Sequence, residues 1–277
     1  MKRLDQELVE RNLFKTRSKA AQAIKAGNIV CDGKKITKCG YEVTNDTKIE
    51  IVGEVLQYVS RGGLKLEKAI RTWKIELKDK IMLDIGSSTG GFSDCAIQNG
   101  IKKVFAIDVG RDQFDTELAK NPKICLMEQT DFRDITEEKI KDANLITIDV
   151  SFISVTKLLN KISQLTNVKE IICLIKPQFE CGKEIADQYR GIILNSKVHQ
   201  ELIEKIVNAF CEIYFDCQGI TCSPIQGGDG NIEYLAYFQK KKVESLINEK
   251  SKVEEKKNAK KEWIVETVKE AFENLRK

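Results

Sequence analysis

The sequence predicts an α/β protein in which a doubly wound sheet of seven strands, the last antiparallel, follows a small basic α+β unit. Three observations predict it. Residues 80–239 alternate apolar strand-like runs with helical segments, the pattern of a parallel sheet covered on both faces. The last two runs are joined by SPIQGGDGN at 223–231, with no helix between them, so they form a hairpin and turn one late strand antiparallel. Residues 1–41 hold ten Lys/Arg against four acids, whereas the remainder holds 36 basic and 38 acidic residues. The whole positive excess of a chain with net charge +4 therefore sits at the N-terminus, the asymmetry of a small nucleic-acid-binding module on a near-neutral body.

The elements follow in order. Residues 1–58 read as one unit. RLDQELVERNL has helical spacing through Leu4, Leu8 and Leu13. TRSKAAQAIKAGN is a second helix, with Thr16 or Ser18 as cap and Gly27 as stop. NIVCDGKKI is two short strands around the Asp32-Gly33 turn, and DTKIEIV is a further strand. On the second helix Lys15, Lys19 and Gln22 share a face, with Arg11 and Lys25 near it, while Ala23 and Ile24 face inward. Residues 59–277 form the larger unit. Its strands are expected at about 80–85, 102–107, 123–128, 144–150, 170–176, 211–222 and 232–239. Helices separate the first six. The Lys/Glu-rich tail ends in EWIVETVKEAFENL, an amphipathic helix with Ile264, Val268, Ala271 or Phe272, and Leu275 on its apolar face.

Several function classes recede on composition. Nine cysteines occur without a C-x-x-C pair or a His/Cys cluster, which argues against a disulfide framework and against a metal site, and fits a reducing cytoplasm. No N-terminal run reads as a signal peptide, and no apolar run approaches a membrane span.

The first strand of the sheet runs into LDIGSSTGGF. Gly86 to Gly90 fits the G-x-S-x-G pattern of a hydrolase nucleophile, with Ser88 in the nucleophile's place. A hydrolase also needs an acid and then a histidine. The single histidine, His199, follows Asp149 and Asp187 but lies in a helical segment rather than on a loop. The loop also follows the first strand of the sheet instead of a central one. The absence of a lysine after the glycines argues against a phosphate-binding P-loop, and a dinucleotide fingerprint lacks its glycine at 88. What remains is a cofactor cradle. Gly86, Gly90 and Gly91 let the backbone approach a ligand, and the N–H groups of Ser87, Ser88 and the helix start at Gly91-Phe92 can take a carboxylate. S-adenosylmethionine offers a carboxylate there and no diphosphate, and Asp84 can meet its amino group. Asp108, 22 residues after Gly86, ends the next strand and can accept both ribose hydroxyls. Asp131 and Phe132, after the third strand, can bond and pack the adenine.

Two charges follow apolar strands at the same rim: Asp149 after NLITI, and Lys176 after EIICLI. Lys65, in SRGGLKL, and Glu233, in GNIEYL, are further candidates.

These stretches carry two resemblances. RLD at 3–5, TRSKAAQAIKAG at 16–27 and V-x-D-G at 30–33 resemble the alpha-L RNA-binding motif. That resemblance implies that Arg3, Arg11, Lys15, Arg17, Lys19, Gln22 and Lys25 rest on structured RNA phosphates. Nearly the full length, through SRGGLKL, LDIGSSTGGF, DVSFIS, LIKPQFE and GNIEYL, is similar to the TlyA group of ribosomal RNA ribose methyltransferases, historically called hemolysins and related to FtsJ-type enzymes. One departure is the junction GEVLQYV at 53–59, where the family more usually has a Trp-containing linker.

The resemblance implies a Rossmann-like methyltransferase sheet, S-adenosylmethionine as cofactor, no metal, and a Lys65, Asp149, Lys176, Glu233 tetrad. Lys176 would orient a cytidine 2′-hydroxyl and accept its proton, with Asp149 and Glu233 holding the lysines. It also implies ribosomal RNA of one or both subunits as partner, the C-terminal helix favouring both. A cytoplasmic monomer is expected. A non-catalytic RNA-binding protein on a degenerate sheet and a membrane-active toxin are the competing readings.

Overall fold

The computed structural model describes residues 1–14, 17–53, 57–241 and 253–274. They divide into two compact units, Met1–Ser60 and Arg61–Lys277.

In the first unit, strand β1 (Lys2–Arg3) leads into helix α1 (Leu4–Glu10), followed by α2 (Arg17–Lys25), β2 (Ile29–Cys31), β3 (Lys34–Ile36), β4 (Glu42–Val43) and β5 (Ile49–Ile51). β2 lies between β3 and β5, antiparallel to both, and β1 pairs with β4. The Asp32-Gly33 turn has positive φ at both residues, 47° and 78°, the geometry that matches a hairpin's twist. Gly27, at φ 74°, stops α2 as expected. α1 is shorter than its leucine spacing suggests. Asn12 turns left-handed at φ 57°, so Leu13 points to solvent and Phe14 enters the core with Leu4, Leu8, Ala23 and Ile24. Thr16 and Lys15 lie outside the described residues, as do Leu275 and part of the 53–59 junction.

The second unit opens with α3 (Gly62–Trp73) and then builds the sheet: β6 (Ile81–Ile85), α4 (Gly91–Gln98), β7 (Lys103–Ile107), β8 (Ile124–Met127), α5 (Glu137–Ile140), β9 (Leu145–Ile148), α6 (Leu159–Gln164), β10 (Glu170–Ile175), α7 (Pro177–Glu180), α8 (Lys183–Gln188), α9 (Ser196–Glu212), β11 (Phe215–Cys222), β12 (Tyr234–Lys240) and α10 (Val253–Asn274). The strand order is β11-β12-β10-β9-β6-β7-β8, with only β12 antiparallel to its neighbours. The sixth strand, expected at 211–222, begins later, at Phe215. α9 continues to Glu212, because Phe210 is buried from the helix, and Tyr214 then reverses the chain at φ 66°. α10 lays Ile264, Val268 and Ala271 on the core beside Ile203, Ile206 and Phe210 of α9.

The order reverses between β6 and β9: β7 and β8 build outward on one side, β10 and β12 on the other. Ligands of open α/β sheets bind beyond the strand carboxyl ends at such a reversal. Among the described residues, no helix is long and apolar enough to cross a membrane.

Phe210 is fully buried and stacks on Phe238 with ring centroids 4.2 Å apart. Phe210→Ala is expected to cost about 3–5 kcal/mol, read as a lower urea midpoint in circular dichroism.

Candidate active site

A cavity of about 370 Å³ opens at the reversal, within the roughly 300–1,000 Å³ usual for small-ligand sites. Four strand ends line it. After β6 come Gly86 and Ser88; after β7, Asp108, Val109, Gly110 and Gln113; after β8, Thr130, Asp131 and Phe132; after β9, Asp149 through Ile153, with Leu158 behind.

Gly86 is required twice over. Its φ is 82°, and a Cβ there would stand 2.7 Å from the carbonyl oxygen of Asp149. Only glycine lets the first loop pass this close to the end of β9. Gly90, at φ 90°, precedes α4, and a Cβ there would meet Phe114 and Leu118 at 2.8 Å. Gly91 and Phe92 start α4, and Phe92 is buried. Gly90, Gly91, Phe92 and Ser87 shape the loop without lining the cavity. The Ser87 hydroxyl is buried with no hydrogen-bond partner among the described residues.

Asp108 braces this loop: one carboxylate oxygen accepts the Ser88 N–H at 2.7 Å, the other the Gly110 N–H at 2.7 Å. Asp131 accepts the Arg133 N–H at 2.9 Å and pairs with its guanidinium at 2.6 Å, and the hydrogen bonds from Arg133 hold its carboxyl below the usual range. Phe132 is buried beneath the cavity. Asp84 lies apart. It is fully buried and not on the cavity wall, and its two oxygens accept Ser93 Oγ at 2.6 Å and Thr147 Oγ1 at 2.8 Å. Burial pushes its carboxyl up to about 6 against the pull of those hydroxyls. The geometry makes Asp84 a link between β6, β9 and α4 rather than a wall residue.

The charged residues at the rim form two pairs. Lys176 Nζ stands 2.6 Å from Asp149 Oδ1 and donates to Ser151 Oγ at 3.0 Å. Lys65, on α3, meets Glu233 at 2.6 Å, with both side chains nearly buried. The sheet register explains how four residues distant in sequence converge. Ile175 pairs with Tyr234 across β10 and β12, so Lys176 and Glu233 leave adjacent strands at one end, while Asp149 leaves β9, the parallel neighbour of β10.

Some residues here carried no role in the sequence reading. Ser151 and Phe152 lay inside a quoted motif, yet nothing in the spacing showed that Ser151 would meet Lys176. Glu128 accepts the N–H groups of Asp112, Gln113 and Phe114 at 3.0–3.2 Å, and so folds the 110–114 wall; those backbone donors, Phe114 first, hold its carboxyl below the usual range. No periodicity signals such a loop anchor. The hydrolase reading ends at His199: it is fully buried, with Nδ1 2.7 Å from the Tyr234 hydroxyl and Nε2 3.1 Å from the Ile193 carbonyl.

In the first unit, Arg3 and Arg17 both bind Asp5, at 3.0 and 2.9 Å. Arg11 is committed internally, to Glu7 at 2.8 Å and to the carbonyls of Thr44, Asn45 and Thr47 at 2.9–3.0 Å. Lys19 donates to the Gln57 carbonyl and Gln22 to that of Val59. Lys25 is exposed. Lys15 is outside the described residues.

The cavity residues fit S-adenosylmethionine. Apolar Ile107, Val109, Phe132, Ile153 and Leu158 suit an adenine, Asp108 suits ribose hydroxyls, and the unpartnered Ser87 hydroxyl lies under the glycine loop. Among the described residues, no group of three or more His, Cys, Asp or Glu could hold a metal.

Two substitutions test this geometry. Gly86→Ala is expected to destabilise the larger unit by more than about 2 kcal/mol, because left-handed strain adds to an overlap with backbone that cannot rotate away. Asp84 has a raised folded-state pKa, so its contribution to stability is complete below about pH 4 and is lost as pH rises through about 6. Asp84→Asn removes that dependence. Between pH 4 and 7 wild type should lose on the order of 3 kcal/mol relative to the variant, measured by denaturant unfolding across pH.

The comparisons with known proteins agree with this geometry. Residues 58–240 match the FtsJ-like methyltransferase family model, and residues 2–49 match the S4 domain. The chain is 36% identical over 253 residues to the 23S rRNA (cytidine-2′-O)-methyltransferase TlyA of Campylobacter jejuni, covering 84% of this chain and 97% of that protein. It is 32% identical over 240 residues to the 16S/23S rRNA (cytidine-2′-O)-methyltransferase TlyA of Mycobacterium tuberculosis, covering 86% and 89%. A solved structure from Streptococcus thermophilus, described as a hemolysin, superposes with a TM-score of 0.71 at 34% identity, over 99% of this chain and 97% of that one. The matched span holds the cavity and both ion pairs, and the chain belongs to the FtsJ-like methyltransferase family as an enzyme that uses S-adenosylmethionine.

Proposed function

We propose that this enzyme methylates the 2′-hydroxyl of a cytidine in ribosomal RNA. The observation that carries the reading is the Lys176–Asp149 pair, whose carboxylate lines the cavity and whose lysine stands at its rim. A ribose hydroxyl is a poor nucleophile while it keeps its proton. S-adenosylmethionine supplies a methyl group already activated on sulfonium. The protein must therefore place the hydroxyl and manage one proton.

Lys176 is the residue for both tasks. Asp149 and Ser151 fix its amine on one side. For the step the amine must be neutral: its two N–H groups donate to Asp149 and Ser151, and its lone pair takes the proton that the 2′-oxygen loses as it forms the bond to the methyl carbon and the methyl–sulfur bond breaks. Glu233 holds Lys65 as the second cation of the rim. Asp149, Gly86, Ser88, Asp108, Asp131 and Phe132 hold the cofactor from the cavity wall. Ser87, Gly90, Gly91 and Phe92 form the loop, and Asp84 supports it from below.

In this reading residues 1–58 are the RNA-binding module and 59–277 the catalytic domain with its C-terminal helix. Arg3, Arg17, Lys19, Gln22 and Lys25 contact the RNA in this reading, Lys15 is assigned the same role on its sequence position, and Arg11 shapes the 44–47 turn. Two relatives named for cytidine-2′-O methylation support the substrate. The C-terminal helix favours action on both subunits. All nine cysteines are free, which suits a cytoplasmic enzyme acting on ribosomes.

Incubation with methyl-labelled S-adenosylmethionine and separated ribosomal subunits from an unmodified strain tests the reading. Alkaline hydrolysis should then leave label in a resistant dinucleotide containing cytidine. Label on a base would refute the assigned chemistry, and no transfer to either subunit would refute the substrate. Lys176→Ala should lower kcat by about a hundredfold or more, as expected for loss of proton transfer and orientation.

A further inference from the structure

Glu180 ends α7, four residues after Lys176. It is 6% exposed. Its Oε2 accepts the Ser154 hydroxyl at 2.5 Å, and its Oε1 accepts the Val155 N–H at 2.8 Å. No Lys or Arg among the described residues pairs with it. Burial pushes its carboxyl up, and the two donors, with the charge of Lys205 beyond ion-pair distance, pull it back only in part. A buried carboxylate without a cation in contact is expensive, and an apolar side chain of similar volume would favour stability. Its effect must therefore be sought in geometry.

The geometry concerns the chain from Asp149 to Val155. Asp149 to Ile153 form one wall of the cavity. Phe152 lies mid-way at φ 64°, a conformation that costs an aromatic residue about 1–3 kcal/mol and persists only when its surroundings over-determine it. Its side chain is 92% exposed, so burial does not hold it there. Anchors lie on either side. Lys176 grips Asp149 and Ser151 before Phe152, and Glu180 grips Ser154 and Val155 after it. Both anchors come from the 176–180 segment, and Phe179 of that segment packs on Phe152 with ring centroids 5.0 Å apart. One of these anchors is the proton-handling lysine. The other has no part in the chemistry described above.

We propose that Glu180 is a positioning residue: by holding Ser154 and Val155 it keeps the bend at Phe152 in the form that walls the cofactor cavity and presents Asp149 to Lys176. The inference rests on the methyl-transfer reading for its kinetic consequence, but not for its structural one. Glutamate suits the task because its two oxygens accept from a hydroxyl and a backbone amide together. Glutamine can accept the backbone amide with its oxygen and turn its amide to the serine, so it preserves the link in neutral form.

Four measurements on the full chain test it: affinity for S-adenosylhomocysteine by calorimetry, backbone hydrogen exchange over 149–156, steady-state methyl transfer, and thermal unfolding. Glu180→Ala should weaken S-adenosylhomocysteine binding about tenfold and lower kcat by up to about a hundredfold, the scale of a small misplacement. The KM for RNA should stay unchanged. Exchange over 150–155 should accelerate while the strands stay protected. Glu180→Gln should restore affinity to within about threefold of wild type, since it keeps both hydrogen bonds. Unchanged affinity and exchange in Glu180→Ala would overturn the proposal. So would affinity, kcat and RNA KM all worsening together with the melting temperature, since that marks general damage. If Glu180→Ala does not fold, Ser154→Ala decides, because it removes one of the two donors. Intermediate exchange and affinity support the proposal, and wild-type values overturn it. Wild type that binds S-adenosylhomocysteine yet transfers no methyl defeats the functional reading alone, because the binding and exchange readouts still decide the role of Glu180.

Discussion

The rim of the sheet depends on the parallel pairing of β9, with β6 on one side and β10 on the other. That ladder fixes where three chain segments leave the sheet. It brings the Gly86 loop against the Asp149 carbonyl and sets Asp149 beside Lys176. Parallel strands of this kind are buried on both faces and read as apolar runs, LITI in β9 and IICLI in β10. A charge directly after such a run has few places to go. It emerges at the strand end, where the sheet reverses direction and leaves a crevice. The cavity and the ion pairs are thus two results of one topology.

The same topology loads the site with buried charge. Asp84, Glu180 and Glu233 are each almost inaccessible, yet they are satisfied in three different ways: two hydroxyls, a hydroxyl with an amide, and a lysine. The first two carry raised carboxyl pKa values because burial strips their charged form of water. Such groups work against stability. They are carried by a large apolar core in which α9 and α10 cover one face of the sheet. Each buried acid also joins segments distant in sequence: Asp84 joins β6, β9 and α4; Glu180 joins the ends of β9 and β10; Glu233 joins β12 to α3. A site assembled from strand ends needs such cross-links, because loops alone leave catalytic groups too mobile.

The first unit uses its charges differently. Asp5, 5% exposed, gathers Arg3 and Arg17, and those hydrogen bonds hold its carboxyl below the usual range. Arg11 spends its donors on the turn at 44–47. Part of the positive charge that marks this unit in the sequence therefore serves its architecture. Arg17 and Lys25 keep exposed cationic groups, and contacts to phosphate need position as well as charge.

Hydrophobic periodicity, turn residues and strand-end charges by themselves determined the seven strands, the antiparallel last strand, the glycine-loop position and the placing of Asp149 and Lys176 at strand ends. These are local signals: a run of apolar residues ends, and glycine or a charge follows. The grouping of Asp149 and Lys176 with Lys65 and Glu233 came from the family resemblance. The sequence missed what depends on which segments become neighbours. It placed Leu13 in a helix that Asn12 ends, and began a strand at 211 where burial of Phe210 prolongs α9. It expected Asp84 to meet the ligand and did not foresee that the hydroxyls of Ser93 and Thr147 would donate to that carboxylate. It was silent on Ser151, Glu128 and Glu180, because a side chain that anchors a distant loop has no spacing to betray it. Residue type and period are written along the chain. The pairing of Lys65 with Glu233, 168 residues away, exists only once β10 and β12 lie side by side and α3 packs against them.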